Sequence, residues 1–87
     1  MPPQVPESTR RLIQSPEDFG AVLRTERKAR KLTQADAAAL AGVGTRTWNE
    51  TERGTREQLG LGTALRMLQT LGLDVVIESR ARRGASR

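Results

Sequence analysis

Four polar side chains between residues 45 and 50 make up the stretch of this sequence best suited to recognition chemistry. They are Thr45, Arg46, Asn49 and Glu50. Their spacing places them on one side of a helix, and together they can donate and accept hydrogen bonds with base edges in a DNA major groove. Considered alone, however, the four residues fit an ordinary solvated helix face better.

The sequence offers little to catalysis or metal binding. It has no Cys and no His, which excludes disulfides, thiolate chemistry and the usual zinc ligands. Glu50 and Glu52 are two residues apart on the same predicted helix, so their carboxylates do not face each other as an acid–base pair would. We therefore expect a protein that is not an enzyme and that has no cofactor or metal.

Length and composition predict one small domain. The chain of 87 residues is too short for two cores, and with one Phe, one Trp and no Tyr its core must be mainly Leu, Val and Ala. Without disulfides or metal, chains of this size often gain stability from oligomerisation. No segment approaches the ~20 apolar residues of a membrane span, and the sequence MPPQVPESTRR lacks the apolar run that is typical of a signal peptide. We expect a cytoplasmic protein with no membrane partner.

The net charge of +5 is unevenly distributed. Four of the fifteen basic residues lie in the last eight positions, namely Arg80, Arg82, Arg83 and Arg87. Without them the chain is nearly neutral, although a second basic cluster lies between residues 24 and 31. Bulk charge alone therefore supports nucleic-acid binding only weakly.

Local signals divide the chain into an arm, a helical domain and a tail. Residues 1–14 carry three prolines and little to bury, which predicts a flexible arm. Residues 15–78 contain the predicted helices and one strand. Residues 79–87 are predicted to be a disordered basic tail.

The first two helices have clear start and stop signals. Helix 1 is predicted to begin after Ser15, an N-cap followed by proline, and to end near Lys31. Its inward residues are predicted to be Phe19, Val22, Leu23 and Ala29. Helix 2 is predicted to begin after Thr33, which forms a shortened capping box with Asp36, and to end at Gly42. Its small inward face, which lets another helix approach closely, is predicted to be Ala37, Ala38, Leu40 and Ala41.

Helix 3 is predicted to begin at Gly44 and Thr45 and to end at Arg53. It contains the single Trp48, which we expect to fill the gap against the alanines of helix 2. Two short helices joined by a tight turn that contains glycine form the helix-turn-helix pattern.

The last third of the domain is predicted to contain one helix and one strand. Helix 4 is stopped by Gly72 and has apolar residues at helical spacing, which are Leu61, Ala64, Leu65, Leu68 and Leu71. Residues 73–78 are β-branched in their centre and are predicted to form a strand.

From Ser15 to Glu78 the sequence resembles the phage-repressor-like (XRE/Cro) helix-turn-helix family. The resemblance is carried by SPEDFGAVLR, LTQADAAALAGV and ERG. The segment LRMLQTLGLDVVI is similar to HipB-like antitoxins, the DNA-binding partners of HipA-type kinase toxins. The resemblance implies an all-α fold of four to five helices, with one C-terminal β-strand that pairs across a dimer.

The resemblance also implies roles for particular residues. Arg27 and Glu52 fall where phage repressors have a partly buried ion pair, although two separate surface charges remain an open alternative. Contacts with double-stranded DNA are implied for Gln34, Gly44, Thr45, Arg46, Thr47, Asn49, Glu50, Lys28 and Arg53. For Gln34, at the start of helix 2, the resemblance implies either a contact with phosphate or a bracing contact with helix 3. The dimer strand is expected to involve Leu73, Val75, Val76 and Ile77.

Three residues depart from the pattern of the family. Thr51 replaces a large apolar residue, so we expect helix 3 to be seated less firmly. Gly44 stands where a capping Ser or Thr is common, although glycine is an acceptable cap. Glu50 has the wrong charge for a phosphate and is useful only if it accepts from a cytosine amino group.

These features predict a homodimeric transcriptional repressor that binds an inverted-repeat operator. The HipB resemblance further implies an antitoxin that represses its own operon and binds a HipA-like kinase toxin. A solitary XRE-family regulator without a toxin is the main alternative. A protein-interaction adaptor on the same fold is less favoured, because it would need an apolar outer face on helix 3.

Overall fold

The computed structural model describes residues 10–80, in which four helices and no β-strand are present. The helices are α1 (Pro16–Ala29), α2 (Gln34–Ala41), α3 (Thr45–Arg53) and α4 (Leu61–Thr70). Helix α3 packs against both α1 and α2, and α4 packs against α2. The predicted all-α helix-turn-helix fold is thus confirmed, and none of these four helices is long and apolar enough to cross a bilayer.

Local capping signals set the helix boundaries. The Ser15 hydroxyl accepts a hydrogen bond from the Asp18 backbone N–H at 3.1 Å and so starts α1. The predicted capping box of α2 is confirmed, because the Thr33 hydroxyl accepts from the Asp36 N–H at 3.0 Å and the Asp36 carboxylate accepts from the Thr33 N–H at 3.4 Å. Gly42 ends α2 with a left-handed φ of 74°, which glycine adopts without strain.

The core is built around one aromatic side chain and small partners. Trp48 of α3 is fully buried and is the largest side chain of the core cluster. The cluster consists of Leu23, Ala37, Ala38, Ala41, Trp48, Met67, Leu68 and Leu71. The short helix α3 is therefore held by a single large apolar anchor, which belongs to the same cluster as the alanines of α2.

Helices α1 and α3 approach each other closely at Gly20. A Cβ atom at this position would lie less than 3.0 Å from backbone atoms of Thr51 and Glu52. Thr51 is buried, and its hydroxyl donates to the carbonyl oxygen of Thr47 at 2.7 Å. Thr51 is therefore accommodated between the two helices as a buried residue whose hydroxyl is hydrogen-bonded.

Two predicted inward residues of α1 and α2 are exposed. Ala29 is three residues from the buried Glu26, and Leu40 is three residues from the buried Ala37. Both would share a face with a buried residue, so helical spacing alone does not decide which of them the neighbouring helices cover. Both predictions of burial were wrong. Helix α1 also ends two residues before the predicted end, and Lys31 adopts a left-handed φ of 58°.

The buried face of α4 differs from the predicted one. Leu61, the first residue of the helix, is 74% exposed, so its predicted inward position was wrong. Met67 was not predicted to be inward, yet it is fully buried beside Leu68 and Leu71. The buried residues of α4 lie in its second half and at its C-cap, whereas its first residue is exposed. The spacing of the leucines predicts the buried side of a helix but not which of its turns reach the core.

The segments that flank the four helices lie close together. Residues 10–14 and 72–80 both line a groove of about 1200 Å³, and the Arg10 guanidinium is 3.7 Å from the Glu78 carboxylate. Residues 73–79 adopt neither helix nor strand in the single chain, so a strand formed with a second copy stays a prediction. Most of the predicted flexible arm and basic tail falls on residues 1–9 and 81–87, which lie outside the described residues.

Candidate nucleic-acid interface

The outer face of α3 is polar along its length. Gly44 caps the helix without a side-chain hydrogen bond, Thr45 is exposed, and the Arg46 side chain is 91% exposed. Thr47 and Asn49 are half-buried at the side of this face. None of the large apolar side chains that are exposed within residues 10–80 lies on α3, which argues against a protein-binding adaptor face.

Glu50 joins two arginines on this face. Its Oε2 accepts a hydrogen bond from Arg46 Nε at 3.0 Å, and its Oε1 accepts from Arg56 Nη1 at 3.0 Å. The hydrogen bond from Arg46 makes the largest contribution to lowering the pKa of Glu50 below its ordinary value, and the hydrogen bond from Arg56 makes the second largest. Glu50 is therefore ionised at neutral pH and offsets the charge of Arg46. Arg56 lies in the loop after α3 and was not predicted to belong to this face. Its positive charge, opposite to that of Glu50, is the sequence signal that could have indicated the contact.

Arg27 and Glu52 form a buried bidentate ion pair that joins α1 to the end of α3. Arg27 Nε lies 2.5 Å from Glu52 Oε2, and Nη2 lies 3.0 Å from Oε1. Arg27 Nη1 also donates to the carbonyl oxygen of Leu32 at 2.8 Å, and the indole N–H of Trp48 donates to Glu52 Oε2 at 2.6 Å. This geometry excludes the alternative of two separate surface charges.

The Glu52 carboxylate is held in its ionised form. Burial alone would raise the pKa of Glu52, because it penalises the charged state. The hydrogen bonds donated by Arg27, Gln34 and Trp48 outweigh burial, so the pKa of Glu52 lies below its ordinary value. The pKa of Arg27 is raised, chiefly by its hydrogen bond to Glu52. Both groups therefore carry full charge at neutral pH.

Gln34 links this ion pair to the outer face of α3. Its Nε2 donates to Glu52 Oε1 at 2.9 Å, and its Oε1 accepts from Asn49 Nδ2 at 3.1 Å. Gln34 is 18 residues from Glu52 and 15 from Asn49, so sequence spacing gives no signal of the connection. The structure thus brings several predicted residues into one hydrogen-bonded network, which consists of Arg27, Gln34, Trp48, Asn49 and Glu52.

Two predicted cations stand outside this network. Lys28, in the last turn of α1, and Arg53, at the end of α3, are exposed, and their side chains have no bonding partner within residues 10–80. Arg66 was not predicted to have a role, but its Nε donates to the Ala41 carbonyl oxygen at 3.1 Å. It therefore satisfies a carbonyl at the C-terminal end of α2.

Comparison with known proteins identifies the family of this fold. A family model described as a helix-turn-helix domain matches residues 18–82, most of the chain. The chain belongs to the XRE-type helix-turn-helix family. This XRE-type chain is also 40% identical over 65 residues to the uncharacterized HTH-type transcriptional regulator y4mF of Sinorhizobium fredii (strain NBRC 101917 / NGR234). That match spans 75% of this chain and 84% of the relative.

The fold of the XRE-type chain is similar to that of a solved regulator. The crystal structure of the restriction-modification controller protein C.AhdI from Aeromonas hydrophila matches it with a TM-score of 0.63 and 30% sequence identity. The match covers 68% of this chain and 84% of the controller protein. The protein is accordingly a DNA-binding helix-turn-helix transcriptional regulator.

Proposed function

We propose that this XRE-type regulator is a homodimeric repressor that acts in the cytoplasm and reads an inverted-repeat operator with α3. The observation that carries the proposal is the exposed polar face of α3. Arg46 carries the bidentate fork that matches guanine, and Asn49 is of the type that pairs with adenine. Thr45 can bond to a base or touch a thymine methyl group, and Glu50 can accept from cytosine.

The remaining predicted contacts suit the DNA backbone. Lys28 and Arg53 are exposed cations with no bonding partner within residues 10–80, and such cations position a protein on phosphates. Gly44 is the N-cap of α3, and a helix N-terminus favours a nearby anion. Thr47 lies at the side of the same helix. In this proposal residues 15–78 form a single DNA-binding and dimerisation unit.

The experiment that tests the proposed function uses the DNA upstream of the protein's own gene. Titration of a labelled upstream fragment at two salt concentrations measures the affinity and its salt dependence. A repressor of its own operon should hold this fragment in the presence of a large excess of unrelated DNA. Equal competition by unrelated DNA would show that binding lacks specificity and would contradict the proposal.

Removal of Arg46 should reduce both affinity and selectivity. Arg46→Ala is expected to cost about 1–3 kcal/mol on the operator and to relax the preference at one base pair per half-site. The matched control is Lys28→Ala, which removes an exposed cation from α1 and should weaken all DNA sequences about equally. Fluorescence anisotropy on the operator and on single-base variants distinguishes the two effects. If both variants lose affinity uniformly across sequences, Arg46 contacts phosphate rather than a base.

The C-terminal segment provides the proposed dimer contact. Val76 and Ile77 are 82% and 90% exposed, and Val75 beside them is also exposed. Contiguous apolar side chains of this kind commonly mark an interface, and backbone amides outside any helix or sheet are available for pairing with a second strand. We therefore assign residues 73–78 to a strand that pairs with its copy across a two-fold axis, with Leu73 connecting it to the core.

Loss of one backbone donor should disrupt this dimer. Val75→Pro removes an N–H group that the paired strands would use, so we expect a mainly monomeric protein at micromolar concentration. Val75→Thr keeps the β-branched shape and the N–H group and should remain dimeric. Analytical ultracentrifugation measures both. A Val75→Pro variant that stays fully dimeric would place the interface elsewhere.

The cellular context has two candidates. The similarity of LRMLQTLGLDVVI to HipB-like proteins favours an antitoxin that also binds a HipA-like kinase toxin, whereas the similarity to a restriction-modification controller protein favours a regulator without a toxin. A toxin would need a surface that DNA does not use, such as the outer faces of α1 and α4. Co-purification with the product of the adjoining gene decides between these two roles. If that gene product is folded and does not bind the regulator, the antitoxin role is contradicted.

A further inference from the structure

Two arginines share the Glu50 carboxylate on the outer face of α3. Arg46 donates to one carboxylate oxygen through Nε, and Arg56 donates to the other oxygen through Nη1, each at 3.0 Å. The Glu50 side chain is 28% exposed, so its negative charge lies at the protein surface. Glu50 therefore offsets one of the two positive charges on the face that would meet DNA in the proposed function.

The bond to Glu50 leaves the other nitrogens of Arg46 available. A guanidinium has N–H donors on Nε and on both Nη atoms, and Arg46 uses Nε for Glu50. Neither Nη atom of Arg46 has a hydrogen-bond partner among residues 10–80. Arg46 can therefore donate from both Nη atoms to O6 and N7 of guanine while it stays bonded to Glu50.

The charge of the acceptor decides how well this arrangement tolerates DNA. Guanine O6 and N7 belong to a neutral base edge, whereas each DNA phosphate carries a negative charge. A phosphate bound to the Nη atoms of Arg46 would lie closer to the Glu50 carboxylate than the ~8 Å over which physiological salt screens charges. The two anions would repel each other, and a guanine edge would not cause this repulsion.

We propose that Glu50 is a specificity-determining residue that acts by repulsion, because it directs Arg46 to a neutral base edge and penalises a contact of Arg46 with phosphate. A binding site becomes more specific when the wrong complexes are weakened as well as when the right one is strengthened. The inference rests on the proposed function, since it assumes that α3 reads an operator. It explains how an exposed arginine can lie on α3 without strengthening the binding of every DNA sequence alike.

The first test compares the affinity for an operator selected from random DNA with that for a scrambled duplex of equal length. Glu50→Gln removes the charge and keeps the shape of the side chain. We expect it to tighten binding to the scrambled duplex by about 5–10-fold and binding to the operator by less, so that the ratio of the two affinities falls. On the scrambled duplex, the slope of log affinity against log salt should steepen by up to about 0.9, the value for one further phosphate contact. An unchanged ratio would overturn the proposal.

Glu57 provides the matched control for net charge. It is exposed, lies in the loop after α3, and has no ion-pair partner in the part of the chain that the structure describes. Glu57→Gln changes the net charge by the same amount and should affect both duplexes about equally. An equal fall of the ratio in both variants would show a general effect of charge and overturn the proposal. Glu50→Ala replaces Glu50→Gln if thermal unfolding shows that the latter does not fold.

The second test determines whether the effect of Glu50 passes through Arg46. Glu50→Gln is combined with Arg46→Ala, and the affinity for the scrambled duplex is measured for the single and double variants. Without Arg46, Glu50→Gln should tighten this binding only as much as Glu57→Gln does, because the two residues act as a pair. The full 5–10-fold gain in the Arg46→Ala background would assign the repulsion to another cation and overturn the proposal.

The outcomes separate this inference from the proposed function. If the wild type selects no sequence from random DNA, the proposed function is contradicted and the inference fails with it. A selective wild type whose affinity ratio is unchanged by Glu50→Gln leaves the proposed function intact and overturns only the inference. The same holds if Glu50→Gln weakens binding to the operator and leaves the scrambled duplex unaffected, since Glu50 would then be a direct reader of cytosine.

Discussion

Replacement of Arg27 by Met should destabilise the protein by about 3–5 kcal/mol, because it leaves the buried Glu52 carboxylate without its charged partner. Urea denaturation followed by the fluorescence of Trp48, the single Trp of the chain, measures this change within the affected network. Lys28→Met is the matched control, since it removes a neighbouring exposed cation and should change stability by less than about 0.5 kcal/mol. Equal effects of the two substitutions would show that the ion pair contributes little.

The same pair should make stability depend on pH in the acidic range. The pKa of Glu52 is lower in the folded protein than its ordinary value, so its contribution is complete above about pH 4.3 and is lost as the pH falls through the folded-state pKa. Loss of Arg27 removes a group that lowers the pKa of Glu52, so the buried carboxylate of the variant protonates at a higher pH than that of the wild type. The difference in stability between wild type and Arg27→Met should therefore shrink as the pH falls through the acidic range. A difference that is the same at neutral and acidic pH would exclude Glu52 as its source.

Gly20→Ala should also be strongly destabilising, by about 3 kcal/mol or more. Alanine at an interior helical position normally stabilises relative to glycine, so the sign itself is informative. The added Cβ would lie less than 3.0 Å from the carbonyl oxygens of Thr51 and Glu52, which belong to the backbone and cannot move aside cheaply. Helix α3 would have to shift away from α1, which should also weaken binding to the operator.

Gly62→Ala provides the matched control for this substitution. Gly62 lies in α4, and a Cβ atom there would meet nothing within 4 Å. Its replacement should be neutral or stabilising by up to about 1 kcal/mol. Thermal unfolding of both variants measures the contrast. A Gly20→Ala variant as stable as Gly62→Ala would contradict the close contact of α1 with α3.

The helices could be predicted because their signals are local. Ser15, Thr33 and Gly42 act on the few residues beside them, and the structure has a helix boundary at each. The exposed Leu40 and Leu61 were predicted wrongly for a related reason. Local spacing shows that a helix is amphipathic, but which side becomes buried depends on the partner helix against which it packs.

The candidate site was only partly predictable from the sequence. The family resemblance implied the pairing of Arg27 with Glu52, which the structure has, and it predicted DNA contacts for residues of α3, which stay a prediction. The hydrogen bonds that join Glu52 to Gln34 and Gln34 to Asn49 depend on how α2 packs against α3. The spacing of residues along the sequence does not predict that packing. The bond between Arg56 and Glu50 was missed in the same way, since it joins α3 to the loop that follows it.

Selection of binding sites from a random pool of double-stranded DNA, with wild type and Arg46→Ala in parallel, tests the proposed role of α3 and requires no known operator. For a dimer that presents two copies of α3, the wild type should recover an inverted repeat whose half-site centres lie about one helical turn apart, roughly 34–36 Å. Arg46→Ala should recover the same repeat with one base pair relaxed in each half-site. Recovery of the same consensus with the same stringency by both proteins would contradict base reading by α3.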